Sequence, residues 1–266
     1  MKKHNLGVAV VALAGALTCS SALAVTATGT INHDIHFGGT IADDAPKWVW
    51  ELPQNSIRFD LMEKDVVVDS STNTKSWDIF SQRAPAKFLE GYMEPTVQGV
   101  AMQGLNADVK YLQNGIEVTP VYTTNHQSTL ALKATGNKDT TAIDGQLSLT
   151  LQPVLLLAQA AKAGDTTIIA KQLADTGVSQ ANINARSAYV NAQSKLASQQ
   201  SKVGATSITY DTNSVWPANS LADGTEVEIP MIGGYASTIS AGLLSFPKDA
   251  EISQWESVIT VQVQYK

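Results

Sequence analysis

Between Thr30 and Ile41 the chain alternates between two kinds of position. Ile31, Ile35, Phe37 and Ile41 share one parity with His33 and Gly39, and Thr30, Asn32, Asp34, His36 and Thr40 share the other. Successive side chains of an extended strand point to opposite faces, so a period of two predicts one strand with a single apolar side. The turn-like run Asp43-Asp44-Ala45-Pro46 precedes the next apolar stretch, Trp48-Val49-Trp50. The strand therefore reads as an arm set apart from the body.

Within the body the pattern predicts strands at 57–61, 65–68, 107–112, 117–122, 130–134 and 146–156, with turn chemistry at Asn114-Gly115, Gly136-Asn137 and Asp144-Gly145. Leu147, Leu149 and Leu151 alternate within the last of these. Short strands with frequent turns predict a mainly β protein of the sandwich type. Between about 159 and 202 alanine, glutamine and lysine replace the β-formers. Asp165 is placed to cap a short helix over Ile168, Ile169 and Leu173 that closes near Gly177. Ser179 is placed to open a longer one, with Ile183, Tyr189, Val190, Leu196 and Val203 as a loose stripe packing on the sheet. The reading is a small α-helical insertion at about 165–202. Strand signals resume at 207–210, 226–229 and 236–244, broken by Asp223-Gly224 and Gly233-Gly234. A final strand follows, in which Trp255, Ile259, Val261, Val263 and Tyr265 share a parity.

Ahead of the arm, Lys2 and Lys3 precede an apolar run from Leu6 to Leu17, and Ala22-Leu23-Ala24 offers small residues for cleavage. This is the pattern of a signal peptide, and the run is too short to span a bilayer. The expected division is 1–24 signal peptide, 25–42 N-terminal extension and 43–266 a single large domain. Loss of Lys2 and Lys3 takes the formal net charge from −6 to −8, and no long basic run remains. Nucleic acid is thereby excluded as a partner. Cys19, the only cysteine, lies inside the leader, and the preceding Ala16-Leu17-Thr18 does not fit a lipoprotein cleavage site. A disulfide-free exported domain has to draw its stability from its core or from partners.

No His-Glu-x-x-His, Gly-x-Ser-x-Gly or phosphate-binding glycine loop occurs, and the mature chain has no cysteine nucleophile. His33 and His36 are three apart, and on a strand residues at that spacing face opposite sides, so they do not share one metal ion. Asp43 and Asp44 sit in a turn with no histidine nearby and read as solvated turn residues. Neither catalysis nor a metal or cofactor is predicted.

The two ends carry the information. A sandwich whose last strand is an edge leaves backbone groups and apolar pockets open, and an unattached amphipathic strand from another molecule can fill them. At this point the chain resembles the FaeG-type fimbrial subunit and adhesin family of enterotoxigenic Escherichia coli, a family of chaperone-usher pilins. The matching pieces are Ile35-His36-Phe37-Gly38-Gly39-Thr40-Ile41 with Asp43-Asp44, then Lys47-Trp48-Val49-Trp50, Ala222-Asp223-Gly224-Thr225, and finally Trp255 with Val261, Val263 and Tyr265.

The resemblance implies an incomplete immunoglobulin-like β-sandwich completed by donor-strand exchange, a periplasmic chaperone that caps the subunit, and an outer-membrane usher that exports it to a surface fimbrium. Ile31, Ile35, Phe37, Gly39 and Ile41 would be the donor residues. Ile259, Val261, Val263 and Tyr265 would form the acceptor and chaperone-facing strand, with Lys266 presenting a terminal carboxylate to the chaperone. The partners implied are homologous fimbrial subunits and a host glycoprotein or glycolipid receptor, and the helical insertion favours a main subunit that also adheres. The receptor-binding residues are not indicated, and Tyr210 and Trp216 read as packing aromatics. Two other readings stand beside this one: a minor or assembly-controlling subunit, and a free periplasmic glycan-binding protein or hydrolase whose arm folds onto its own domain.

Overall fold

The computed structural model describes residues 47–52, 57–99, 101, 107–123, 127–138, 141–173, 186–217, 219–221, 224 and 226–265. All of them lie within one compact unit, Asp43–Lys266. The order along the chain is β1 (Trp48–Glu51), β2 (Val67–Asp69), β3 (Thr74–Asp78), β4 (Ala86–Met93), β5 (Ala107–Gln113), β6 (Ile116–Glu117), β7 (Val121–Tyr122), β8 (Ser128–Lys138), β9 (Thr141–Ala160), β10 (Thr167–Leu173), α1 (Arg186–Ala197), β11 (Ser207–Trp216), β12 (Met231–Pro247), β13 (Gln254–Glu256) and β14 (Thr260–Tyr265). The protein is mainly β with a small helical element, as its sequence predicts.

Two long strands organise everything else. β9 and β12 pair antiparallel from Met231↔Gln159 to Ser245↔Gln146, with Ser240 bulged between Ile239↔Leu151 and Ala241↔Thr150. At one end they extend into the order β1-β4-β12-β9-β10-β11; at the other, β3 and β2 continue from β12 and β8 from β9, with β7 and β13 on the outer edge of β8. A separate three-stranded sheet, β14-β5-β6, forms the second layer. Tyr111 of β5 is buried in the core between the layers, its ring 6.1 Å from that of Phe88 on β4, and Val109, Val261 and Val263 pack beside it. The β5–β6 turn is Asn114-Gly115, with φ of 52° and 78°, the two-residue hairpin that Asn-Gly favours.

β9 is buried on both faces at its C-terminal end, which explains its run of apolar residues. Leu155 and Leu157 face the sandwich core, whereas Val154, Leu156, Ala158 and Ala160 join a second core beneath α1. The helix contributes Ala188, Ala192 and Leu196, all fully buried, at i, i+4 spacing. It lies so close to β12 that a Cβ at Gly234 would stand 2.4 Å from the Ala192 carbonyl oxygen.

Several sequence expectations are corrected here. The segment expected as a helix after Asp165 is strand β10, paired with β9 and, in parallel, with β11. Ile168 and Ala170 alternate onto the α1 side, and the β-branched Thr-Ile-Ile run suits a strand. Asp165 instead accepts a 3.1 Å bond from the Lys162 amide in the β9–β10 turn. The insertion is thus a strand–helix–strand unit whose described helix is α1 alone, followed by a 3-10 turn at Gln200–Val203. Of its expected stripe, Leu196 is buried but Val190 is 53% exposed. The expected break points Gly136, Gly145, Gly233 and Gly234 lie inside strands β8, β9 and β12. Gly136 and Gly145 make room for the Phe246 ring, which a Cβ would approach to 2.8 and 2.3 Å. The 226–229 segment forms no strand, only a bridge between Glu226 and Ala101. β1, β3 and β4 were not predicted.

A candidate assembly groove beside the last strand

β14 pairs with β5 from Thr260↔Leu112 to Tyr265↔Ala107, and among the described residues no strand covers its other edge. Half of its backbone N–H and C=O groups therefore point to an open side. The start of β14 is fixed to the main sheet by a side chain that imitates a strand. Gln113 Nε2 donates to the Lys133 carbonyl (2.8 Å), and the Lys133 amide donates to Gln113 Oε1 (2.7 Å). Ser257 Oγ donates to the same carbonyl (2.8 Å), so the outer edge of β8 is closed at Lys133.

Beside this open edge runs a groove of about 830 Å³. Its floor is built from the alternating apolar face of β9 and β12, with Leu147, Leu149 and Leu244, and Phe246 and Trp255 lie toward one end. Ile259 and Val261 form the β14 wall. Segment 57–61 also lines the groove, and in it Ile57, Phe59 and Leu61 are half-buried and Arg58 and Asp60 exposed. This is the expected period-two pattern, but the strand expected at 57–61 is corrected: among the described residues the segment joins no strand ladder. Phe59 is held among rings, 5.2 Å from Phe80 and 6.4 Å from Trp255. Charged groups lie at the margin, as Arg58 and Glu63 do. What the groove offers is chemically simple: a largely apolar lining and, among the described residues, an open backbone edge along β14.

Of the residues singled out from the sequence, Val261 and Val263 lie on one half-buried face of the last strand, Ile259 lies just before it, and all three pack on the core. Ile259 and Val261 line the groove, and Tyr265 stands opposite Ala107 at the end of β14. Lys266 and the arm residues Ile31, Ile35, Phe37, Gly39 and Ile41 lie outside the described residues. Sequence reasoning missed that 57–61 lines the same groove as β14; its alternation was visible, its lack of a strand partner among the described residues was not. Trp216 and Tyr210 do pack: the Trp216 indole donates to the Leu157 carbonyl at 2.8 Å, and Tyr210 meets Tyr189 edge-on at 6.4 Å.

A β-sandwich with an open apolar groove along its last strand is a protein shaped for association. A family profile described as fimbrial, major and minor subunit matches residues 1–266, and the chain belongs to that family. It is accordingly a non-enzymatic component of an exported surface fimbrium, and other fimbrial subunits are its neighbours. Comparison with curated proteins returns no match.

Proposed function

We propose that this subunit polymerises by donor-strand exchange, the N-terminal extension of one copy filling the groove of the next. The observation that carries the reading is the apolar groove of about 830 Å³ lined both by residues of the open β14 edge and by segment 57–61, which joins no strand ladder among the described residues. An extended strand with apolar side chains at alternate positions is the ligand such a groove suits, and Ile31, Ile35, Phe37 and Ile41 supply that alternation. Before assembly a periplasmic chaperone covers the same edge through Ile259, Val261, Val263 and Tyr265, with Lys266 at its end, and an outer-membrane usher exchanges it for the neighbour's arm. The subunit is of the main type and also adheres to a host glycoprotein or glycolipid.

Burying one large apolar side chain is worth roughly 1.5–3 kcal/mol, so four donor residues contribute on the order of 6–12 kcal/mol before ordering costs. Phe37→Asp removes the largest of these and places a charge in an apolar groove. His36 has the opposite parity and faces away. With export matched, Phe37→Asp is expected to abolish heat-labile polymer ladders on unboiled gels and His36→Asp to leave them intact. Wild-type ladders from Phe37→Asp, or greater damage from His36→Asp, contradict the register.

A further inference from the structure

Among the described residues the segment 57–62 has no strand partner to hold it, yet two side chains from the β3 region tie down its backbone. Arg83 Nη1 donates to the Arg58 carbonyl at 2.9 Å, and its guanidinium lies over the Phe59 ring at 5.0 Å. Trp77 Nε1 donates to the Met62 carbonyl at 3.1 Å. Both anchors are themselves fixed. Trp77 is a buried member of β3, opposite Leu244, and the Arg83 amide closes a turn on the Phe80 carbonyl at 3.0 Å. Lys75 of the same strand, also buried, reaches Glu63 at 3.2 Å.

The two tethered carbonyls, at 58 and 62, have the same parity. In an extended chain the N–H and C=O of one residue share an edge, and those of the next residue point the opposite way. Met62 is extended, with φ −112° and ψ 141°, and the alternating burial of 57–61 matches that geometry. Tethering 58 and 62 on one side therefore leaves the backbone groups of Ile57, Phe59 and Leu61 on the other.

We propose that Arg83 and Trp77 are positioning residues that hold 57–62 as a ready-made β edge, so that an incoming strand pairs with it through Ile57, Phe59 and Leu61 as well as with β14. The inference rests on the strand-addition reading above. Its chemistry is preorganisation: the tethers order the acceptor before the strand arrives and cut the ordering cost of capture.

The test measures capture of a fluorescent peptide with the sequence of residues 29–42 by the monomeric mature chain, following association and dissociation separately. Arg83→Gln and Trp77→Phe are each expected to slow association roughly three- to tenfold, the factor one preset hydrogen bond is worth. Dissociation should stay unchanged, because the donor strand itself orders the edge in the complex. Arg83→Lys, which keeps a charged donor, should restore most of the rate, and Lys162→Gln in the distant β9–β10 turn should match the unaltered chain. Equal association rates in the unaltered chain and both variants overturn the inference, as does an effect confined to dissociation. No capture by the unaltered chain overturns the strand-addition reading itself, and this inference with it.

Discussion

The two sides of strand β12 meet opposite fates. On one side Gly234 and Ala236 lie against α1, and the protein closes that face with its own helix. Ala158, Ala160, Ala170, Ala188 and Ala192 supply the packing there, and short side chains let backbones approach closely. The helix is also fastened electrostatically: Lys195 Nζ lies 2.5 Å from Glu51 Oε2 and 3.2 Å from the buried Glu90 Oε2. Lys87 Nζ stands 3.0 Å from the other Glu90 oxygen, near enough to pair but not aligned for a hydrogen bond. On the other side, toward its C-terminal end, β12 presents Leu244 and Phe246 to a groove lined by large side chains. On the proposed reading the subunit is complete on the α1 side and is completed by a neighbouring copy on the groove side. Small residues mark the face that the chain seals with its own helix, and large residues line the face that the proposed donor strand would fill.

The comparison can be broken most sharply by trimming one residue on each side. Leu196→Ala opens a cavity in the sealed layer and is expected to cost the isolated subunit about 2–5 kcal/mol in denaturant unfolding. Val261→Ala, in the half-buried groove wall, should cost the isolated subunit about 1 kcal/mol or less while visibly shortening polymers. Equal losses of monomer stability from both changes would remove the distinction.

Alkali sharpens the same contrast. Burial pushes the Tyr235 phenol up to about 12, with the Ser237 hydrogen bond opposing and the Tyr122 charge adding to the rise. Tyr111, buried between the layers, is likewise raised well above the ordinary tyrosine value, chiefly by burial. A group raised in the folded state stabilises fully below its unfolded value near 10 and loses that contribution as pH climbs toward 12, roughly 2–3 kcal/mol for Tyr235. Lys195 is held above its ordinary value: burial lowers it, but the hydrogen bonds and charges of Glu51 and Glu90 outweigh that effect. Unfolding between pH 10 and 12 is therefore expected to begin in the sandwich core, with near-ultraviolet tyrosine signals changing before far-ultraviolet helix signal. The reverse order would place the weak point under α1.

A smaller effect belongs to Gly234. A Cβ there meets the Ala192 carbonyl oxygen at 2.4 Å and the Leu196 amide nitrogen at 2.6 Å, and backbone atoms yield less readily than side chains. Gly234→Ala is expected to destabilise the monomer by about 1–3 kcal/mol and to leave peptide capture in the groove unchanged.

These same glycines show where the sequence was legible and where it was not. The period-two patterns at 107–112 and 259–265 marked strands β5 and β14 correctly, because alternation is local and burial on one face imposes it; the same pattern at 57–61 marked alternating burial but not a strand. Gly136, Gly145, Gly233 and Gly234 were misread as turns because glycine signals both a reversal and a close approach, and only the partner distinguishes them. Phe246 and α1 are those partners, and both lie far away in sequence. β4 escaped notice because Phe88 is bulged out of register and Glu90 is a charged residue buried by pairing with Lys195. The groove was half visible: the β14 contribution followed from the terminal alternation, but that of 57–61 required knowing that it joins no ladder among the described residues.

The central claim is that the edges flanking the groove are open in the single subunit and paired in the fimbrium. Amide hydrogen exchange compared between the monomeric mature chain and assembled polymer tests it residue by residue. Alternate amides of β14 and those of Ile57, Phe59 and Leu61 are expected to exchange readily in the monomer and to become strongly protected in the polymer, while the amides between β9 and β12 are protected in both. Equal exchange in both forms along β14 and 57–61 would contradict it.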